Sequence, residues 1–271
     1  MDTIDEHRGT RFECSDGGHL QFQTAGVGEP VVLIHGFGLD FALWDPQWAA
    51  LSQGHRVVRY DLRGYGRSSR PTGRYSHVED YLALARFLEA SPAHLIGLSM
   101  GGRLALRIAA EAPSCVRSLT LADSALDGHA WSEEWLTRWR AMGAAATQDV
   151  QDAKHLWLQH DLFAPARGKP PVAAALESMV QRYSGWHFEA DDPGVGPARP
   201  VTEVLSTIES PTLVIVGALD LSDFQAIAQR LAADMPRASL KIIPGAGHMS
   251  NMEAPRLFNE LVLAHLSSVR A

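Results

Sequence analysis

Ser99 is the side chain whose surroundings most clearly indicate covalent chemistry. It lies in the run GLSMGG (residues 97–102), between an apolar run that predicts a strand and a longer pattern that predicts a helix. A serine on such a sharp turn, with small residues two positions before and after it, presents its hydroxyl above the end of a sheet. In a chain with 23 glycines the same string also arises by chance as an inert turn. The flanking strand and helix therefore carry the inference.

A serine hydroxyl becomes a strong nucleophile beside a base that is itself held by a third group. Among the twelve histidines, His248 stands in a glycine-containing loop (PGAGHM, residues 244–249) directly after the last predicted strand. Loops at the carboxyl ends of parallel strands are where such sheets bind their ligands. Asp220, in the loop after the preceding strand, is the matching acid. Asp223 is the reserve candidate, which we expect to open the following helix instead.

This chemistry also needs two N–H donors for the oxyanion that develops when a hydroxyl attacks a carbonyl group. The backbone amide of Met100, next to the nucleophile, is the first expected donor. The second is expected from the loop HGFG (residues 35–38) after the first buried strand, with Phe37 as the donor. The alternative interpretation, a simple glycine turn, is weakened because the loop falls where the second donor is required.

Alternating strand and helix patterns in the first and last thirds of the chain surround these motifs. Apolar runs predict strands at residues 31–34, 57–60, 94–97, 116–122, 211–217 and 239–243. Apolar residues at helical spacing predict helices over residues 78–90, 100–112, 224–235 and 254–269. This alternation predicts an α/β fold, with a mostly parallel central sheet flanked by helices on both faces.

The segment between residues 126 and 199 has a different pattern, without a convincing strand. It contains five of the seven tryptophans, namely Trp131, Trp135, Trp139, Trp157 and Trp186. We interpret it as a helical cap inserted into a core that residues 1–125 and 200–271 form. Since aromatic side chains bury large apolar surfaces, we expect these rings to pack the cap onto the core more than to contact substrate.

The overall composition argues against several classes of protein. The 271 residues are 46% hydrophobic and 20% charged, which is typical of a globular chain that buries its own core. A net charge of −7 argues against nucleic-acid or anionic-membrane partners. No apolar run reaches membrane-spanning length, and residues 1–8 lack the apolar core of a signal peptide. We therefore expect a cytoplasmic protein.

The sequence gives no indication of a metal or an organic cofactor. Cys14 and Cys115 are not spaced as metal ligands. Two free thiols in a reducing compartment are expected rather than a disulfide. No cofactor-binding motif is present, so we predict neither a cofactor nor a metal site. The sequence does not indicate the oligomeric state.

From about Gly26 to its C-terminus the chain resembles the α/β-hydrolase superfamily. The matching segments are HGFG (35–38), DLRGYGRS (61–68), the Ser99 turn, the Asp220 loop and GHMSNMEAP (247–255). The resemblance implies the α/β-hydrolase fold and a catalytic triad in the order Ser99, Asp220, His248. One branch shares the second of these segments and includes enol-lactonases, small esterases, perhydrolases, epoxide hydrolases and carbon–carbon hydrolases. In that branch the segment is chiefly structural.

Details of the motifs favour one reaction class within this branch. Haloalkane dehalogenases and epoxide hydrolases of this kind use an aspartate nucleophile, and Ser99 argues against both. Carbon–carbon hydrolases usually carry a tryptophan shortly after the catalytic histidine, where this chain has Met249, Ser250 and Asn251. The GHMSNMEAP segment is most similar to enol-lactonases and small esterases. This resemblance implies hydrolysis of a small-molecule carboxylic ester or lactone through an acyl-enzyme.

Other reactions on the same triad stay open as alternatives. They are carbon–carbon cleavage, amide or lactam hydrolysis, and perhydrolysis without a cofactor. A ligand-binding receptor on a hydrolase scaffold is the non-enzymatic alternative. The presence together of Ser99, Asp220 and His248 argues against a purely binding role, because binding alone does not need all three.

Overall fold

The computed structural model describes residues 10–269, so the N-terminal segment considered above lies outside the described residues. Within this range, eight strands form one sheet. The strands are β1 (Thr10–Glu13), β2 (His19–Ala25), β3 (Pro30–Ile34), β4 (Arg56–Tyr60), β5 (Ala93–Leu98), β6 (Val116–Ala122), β7 (Thr212–Gly217) and β8 (Ala238–Ile243). Their order across the sheet is β1-β2-β4-β3-β5-β6-β7-β8.

Helices follow most of the strands along the chain. They are α1 (Asp45–Ser52), α2 (His77–Phe87), α3 (Met100–Glu111), α4 (Glu133–Ala146), α5 (Val150–Gln159), α6 (Ala164–Arg167), α7 (Pro170–Arg182), α8 (Trp186–Glu189), α9 (Ser222–Asp234), α10 (Ser250–Glu253) and α11 (Pro255–Ser268). Short 3₁₀ helices lie at Phe41–Trp44, Pro113–Cys115, Asp161–Phe163, Val201–Glu203 and Leu205–Thr207.

The predicted α/β fold with a mostly parallel sheet is confirmed, and β3 to β8 all pair in parallel. The first two strands are an addition that the sequence analysis did not predict. β1 pairs with β2, and β2 with β4, in antiparallel fashion. β1 is mostly exposed and β2 mixes polar with apolar residues, so neither has the continuous apolar run of a buried parallel strand.

Five helices, α4 to α8, and no strand of the sheet lie between β6 and β7 in the described part of the chain. Trp186 is buried, and its indole N–H donates to the carbonyl oxygen of Gly64 at 2.9 Å, as expected of a ring that packs this segment against the rest of the chain. Trp157 is also buried, whereas Trp139 remains 38% exposed. The division into a core and a cap at residues 126 and 199 stays a prediction.

Helix α7 is tied to the rest of the protein by cationic side chains at both of its ends. Lys169, which precedes its first turn, donates to the carbonyl oxygen of Gly245 at 3.0 Å. Arg182, in its last turn, forms an ion pair of 2.7 Å with Asp40. A cavity of about 500 Å³ lies between these ends, bordered by α7 residues such as Met179.

The turn at Ser99 depends on glycines that let helix α3 approach strands β3 and β5 closely. A Cβ atom on Gly101 would lie 2.1 Å from the carbonyl oxygen of Ile34, and one on Gly97 would lie 2.3 Å from the carbonyl oxygen of Gly101. Both contacts are with backbone atoms, which cannot rotate away. The turn holds Ser99 at φ 57° and ψ −115°, a conformation that is strained for a residue with a side chain.

We expect Gly101→Ala to lower the free energy of unfolding by about 1–3 kcal/mol, because its new methyl group overlaps a fixed backbone oxygen. The matched control is Gly143→Ala in the last turn of α4, where a Cβ meets nothing within 4 Å. That change is expected to raise the free energy of unfolding by about 0.5–1 kcal/mol. Urea unfolding of both variants measures the difference. Equal stability of the two variants would contradict this account of the turn.

Candidate active site

Ser99 occupies the junction of β5 and α3, held by the neighbouring strand and by its own backbone. Its N–H donates to the carbonyl oxygen of Ala122 at 2.9 Å, and its carbonyl oxygen accepts from the N–H of Ala125 at 3.1 Å. The loop after β3 lies against its side chain, because a Cβ atom on Gly36 would be 3.4 Å from Ser99 Cβ. The candidate nucleophile and the candidate oxyanion loop are therefore neighbours.

His248 and Asp220 meet at the carboxyl ends of β7 and β8. The imidazole Nδ1 of His248 lies 2.9 Å from Oδ2 of Asp220, and both side chains are buried. A carboxylate accepts hydrogen bonds, so Nδ1 carries the proton in this pair and Nε2 takes no part in it. The ring of Phe224 packs 4.3 Å from the imidazole, centroid to centroid.

Asp223 has different partners from Asp220. It lies in the first turn of α9, as expected, and accepts from the hydroxyl of Ser132 at 2.6 Å and from the ring of His129 at 3.2 Å. Burial opposes its charge, but these hydrogen bonds prevail and hold the pKa of Asp223 below its usual range. Asp223 thus fixes the chain that leads into α4, and Asp220 is the acid beside His248.

The two amides predicted to bind an oxyanion belong to residues near Ser99: Met100 follows it in the chain, and Phe37 follows Gly36, on which a Cβ atom would lie 3.4 Å from Ser99 Cβ. Within residues 10–269, neither the N–H of Phe37 nor that of Met100 has a hydrogen-bond partner. Met100 is the first residue of α3, where a backbone N–H has no acceptor within the helix. His35 fixes the opposite loop, since its Nδ1 donates to the carbonyl oxygen of Gly36 at 2.8 Å and its Nε2 accepts from the N–H of Leu62 at 2.9 Å.

Aromatic side chains surround the ring of Phe37. Six rings have centroids within 5.1–6.0 Å of it, those of Tyr65, Trp139, Trp157, Tyr183, His187 and Phe188. Burial lowers the pKa of His187 to about 4, so this ring is neutral at pH 7. The Phe37 ring is therefore surrounded by uncharged aromatic side chains.

Asp123 is a buried carboxyl group at this site that the sequence analysis missed. It directly follows β6 and accepts from the N–H of Gly217 at 2.8 Å and from the hydroxyl of Ser250 at 2.5 Å. Burial and the nearby charge of Asp220 raise the pKa of Asp123 well above its usual range. Asp123 thus links the end of β6 to Gly217, three residues before Asp220, and to Ser250, two residues after His248. Its position directly after a predicted buried parallel strand was the feature of the sequence that could have indicated Asp123 as a residue of this site.

Asp61 and Arg63 of the segment DLRGYGRS hold loops, whereas Tyr65 of the same segment packs against Phe37 and donates to the sulfur of Met100 at 3.5 Å. Asp61 accepts from the backbone N–H groups of Phe41 and Arg67, both at 2.8 Å. Burial raises the pKa of Asp61 to about 7. Arg63 forms an ion pair of 2.6 Å with Asp80. These contacts agree with the structural role that the resemblance implied for this segment.

Two further properties bear on the kinds of site the chain can carry. Within residues 10–269, no group of three or more histidine, cysteine, aspartate or glutamate side chains is arranged to hold a metal ion. In the same range, no helix combines the length and the apolar character needed to cross a membrane. Cys14 and Cys115 are both free thiols.

Sequence comparison assigns the family that this fold and site define. The family model described as the alpha/beta hydrolase fold matches residues 29–255, which is most of the chain. The protein therefore belongs to the α/β-hydrolase family. It is 29% identical over 255 residues to 3-oxoadipate enol-lactonase 1 of Acinetobacter baylyi, and the match covers 89% of each chain.

Two solved structures show the same similarity in three dimensions. A thermophilic esterase from Thermogutta terrifontis superimposes with a TM-score of 0.82 at 26% identity, over 97% of this chain and 99% of the esterase. The enol-lactonase from Burkholderia xenovorans LB400 superimposes with a TM-score of 0.78 at 27% identity, over 95% of this chain and 100% of the lactonase. The protein is a hydrolase of the α/β family related to enol-lactonases and esterases.

His35 provides a test of how the oxyanion loop is held. Burial lowers the pKa of His35 to about 4 from its ordinary value of 6.5, so between these pH values the unfolded chain binds a proton that the folded chain does not. The free energy of unfolding is therefore expected to fall by up to about 3 kcal/mol through this group as the pH drops across that window.

His35→Gln removes this titration, so the variant should lose less stability than the wild type between about pH 7 and pH 4. Urea unfolding at several pH values measures the free energy of unfolding of both proteins across this range. His155→Gln, at an exposed position of α5, is the control and should keep the wild-type pH dependence. An identical pH dependence of stability in His35→Gln and the wild type would show that the titration of His35 does not contribute to it.

Proposed function

We propose that this protein is a serine hydrolase that cleaves a small carboxylic ester or lactone, with Ser99, His248 and Asp220 as its catalytic triad. The observation that carries the proposal is the buried hydrogen bond of 2.9 Å between His248 and Asp220. This pair belongs to the loops after β8 and β7, and the strained Ser99 turn follows β5 in the same sheet. A buried carboxylate that orients an imidazole is the arrangement that activates a serine hydroxyl.

In the first half of the reaction, Nε2 of His248 takes the proton of the Ser99 hydroxyl as its oxygen attacks the substrate carbonyl carbon. The carbonyl oxygen becomes an oxyanion and accepts from the free N–H groups of Phe37 and Met100. Asp220 keeps the proton of the imidazole on Nδ1 and stabilises the imidazolium that forms. His248 then gives its proton to the departing alkoxide, which leaves an acyl group on Ser99.

In the second half, a water molecule replaces the alcohol. His248 removes a proton from the water, whose oxygen attacks the acyl-enzyme carbonyl and forms a second oxyanion at the same two amides. Collapse of this intermediate returns the proton to Ser99 and releases the carboxylic acid. In a lactone the alcohol and the acid belong to one molecule, so the ring opens and a single hydroxy acid is released.

Two observations support an ester or lactone as the substrate. The chain is similar over most of its length to proteins named as an enol-lactonase and an esterase. The aromatic, uncharged surroundings of Phe37 suit an apolar acyl or alcohol group, because aromatic rings bury large apolar surfaces. A panel of uncharged esters and lactones of graded acyl length identifies the preferred substrate.

Replacement of the nucleophile is the direct test of the mechanism. Ser99→Ala is expected to lower kcat for a chromogenic short-chain ester by about 10⁶-fold, because no acyl-enzyme can form. Its thermal unfolding should stay close to that of the wild type. Wild-type-like turnover by Ser99→Ala would exclude Ser99 as the nucleophile.

The two candidate acids are separated by a matched pair of variants. Asp220→Asn is expected to lower kcat by about 10⁴-fold, because an amide facing Nδ1 favours the wrong imidazole tautomer. Asp223→Asn has the same chemical change three residues away and should keep kcat within about threefold, since Asp223 bonds to Ser132. Steady-state kinetics on the same ester measure both. A larger loss in Asp223→Asn than in Asp220→Asn would reverse the assignment.

A further inference from the structure

Two backbone amides flank His248 in the chain, and both donate to one carboxylate. The N–H of Gly247 donates to Oε2 of Glu253 at 2.9 Å, and the N–H of Met249 donates to Oε1 at 3.1 Å. The Glu253 side chain is fully buried. A carboxylate that bridges the residues before and after His248 fixes the path of the backbone that carries the imidazole.

A cation from outside this loop completes the arrangement. Nζ of Lys169 donates to the carbonyl oxygens of Gly245 at 3.0 Å and Glu253 at 3.1 Å, and it lies 3.4 Å from Glu253 Oε2. Lys169 directly precedes α7, in the chain between β6 and β7. Lys169, from the chain between β6 and β7, thereby holds the loop that follows β8.

We propose that Glu253 is a positioning residue for His248 and that Lys169 holds Glu253 in the orientation this requires. The inference rests on the proposed function, because it concerns the imidazole that activates Ser99. The bond to Asp220 fixes how the imidazole is rotated, and the Glu253 bridge fixes where its backbone lies. Both are needed, since a shift of about 1 Å in a catalytic group can cost about 100-fold in rate.

Geometry rather than ion-pair strength is the basis of this role. The Lys169 side chain is 35% exposed, so solvent screens its attraction to Glu253 and the pair itself adds little stability. The ammonium group instead fixes the orientation of Glu253 and of the His248 loop, because its three N–H donors face three oxygens there. A purely structural role predicts a loss of stability alone, whereas a positioning role predicts a loss of rate in protein that is still folded.

The test compares Lys169→Met and Glu253→Gln with the wild type. The amide of Gln offers one acceptor in place of two, so one flanking N–H loses its partner. Both variants should show kcat lowered by about 10- to 100-fold with KM changed less than about threefold. Lys169→Arg, which keeps the charge and the donors, should restore kcat to within about threefold. Lys241→Met and Glu260→Gln, at exposed positions, are the matched controls and should behave as the wild type.

A second readout does not require the natural substrate. A fluorophosphonate probe labels an activated serine when the serine oxygen attacks phosphorus, fluoride leaves and the histidine takes the proton. The rate constant for labelling of Ser99 should fall in Lys169→Met and Glu253→Gln by the same factor as kcat. Thermal unfolding, measured on the same samples, reports whether each variant is folded at the assay temperature.

The outcomes separate this inference from the proposed function. A wild-type chain that is not labelled at Ser99 contradicts the proposed function itself. A labelled wild type with equally fast labelling of both folded variants overturns the positioning role alone. If Glu253→Gln fails to fold, Lys169→Met decides, because its side chain is partly exposed and its removal leaves both N–H bonds to Glu253 possible.

Discussion

The close approach of helix α3 to strands β3 and β5 is the constraint on which the candidate site depends. There the glycine backbone lies against the carbonyl oxygens of Ile34 and Gly101 with no room for a Cβ atom. This contact holds Ser99 in its strained conformation and leaves the N–H of Met100 unpaired at the start of α3. One packing contact thus presents both the candidate nucleophile and one oxyanion donor, and the sheet supplies the rigidity that maintains the strain.

The other groups of the site are held by buried polar contacts rather than by apolar packing alone. Asp123 ties the end of β6 to Gly217 and Ser250, and Glu253 bridges the amides around His248. A buried carboxyl group is stable when its oxygens accept hydrogen bonds; Asp123 accepts from the end of β7 and the start of α10, and Glu253 from the loop around His248. The loops that carry Asp220 and His248 therefore have a fixed shape without being part of the sheet.

The α/β fold and the positions of its parallel strands along the chain follow from patterns that are local in sequence. Runs rich in apolar residues marked β3 to β8, and the glycines around Ser99 marked the turn. The antiparallel strands β1 and β2 lack such runs: β1, at the edge of the sheet, is mostly exposed, and β2, between β1 and β4, alternates polar and apolar residues. The pairing of His248 with Asp220 was expected from the ends of neighbouring parallel strands. The contacts of Lys169 with Glu253, 84 residues apart, have no local pattern and emerge when the chain is folded.

Cationic side chains hold both ends of helix α7, with Lys169 at Glu253 and Arg182 at Asp40. A hollow of about 500 Å³ lies along part of the helix between them. Ala175 borders this hollow and is partly buried, whereas Met179, also on its border, is packed into the core. Substitution by a larger apolar residue on this face has space to occupy, where elsewhere in the core it would meet fixed atoms. A larger apolar side chain on this face can therefore fill part of the hollow and gain contacts, while the loops at both ends of α7 keep their positions.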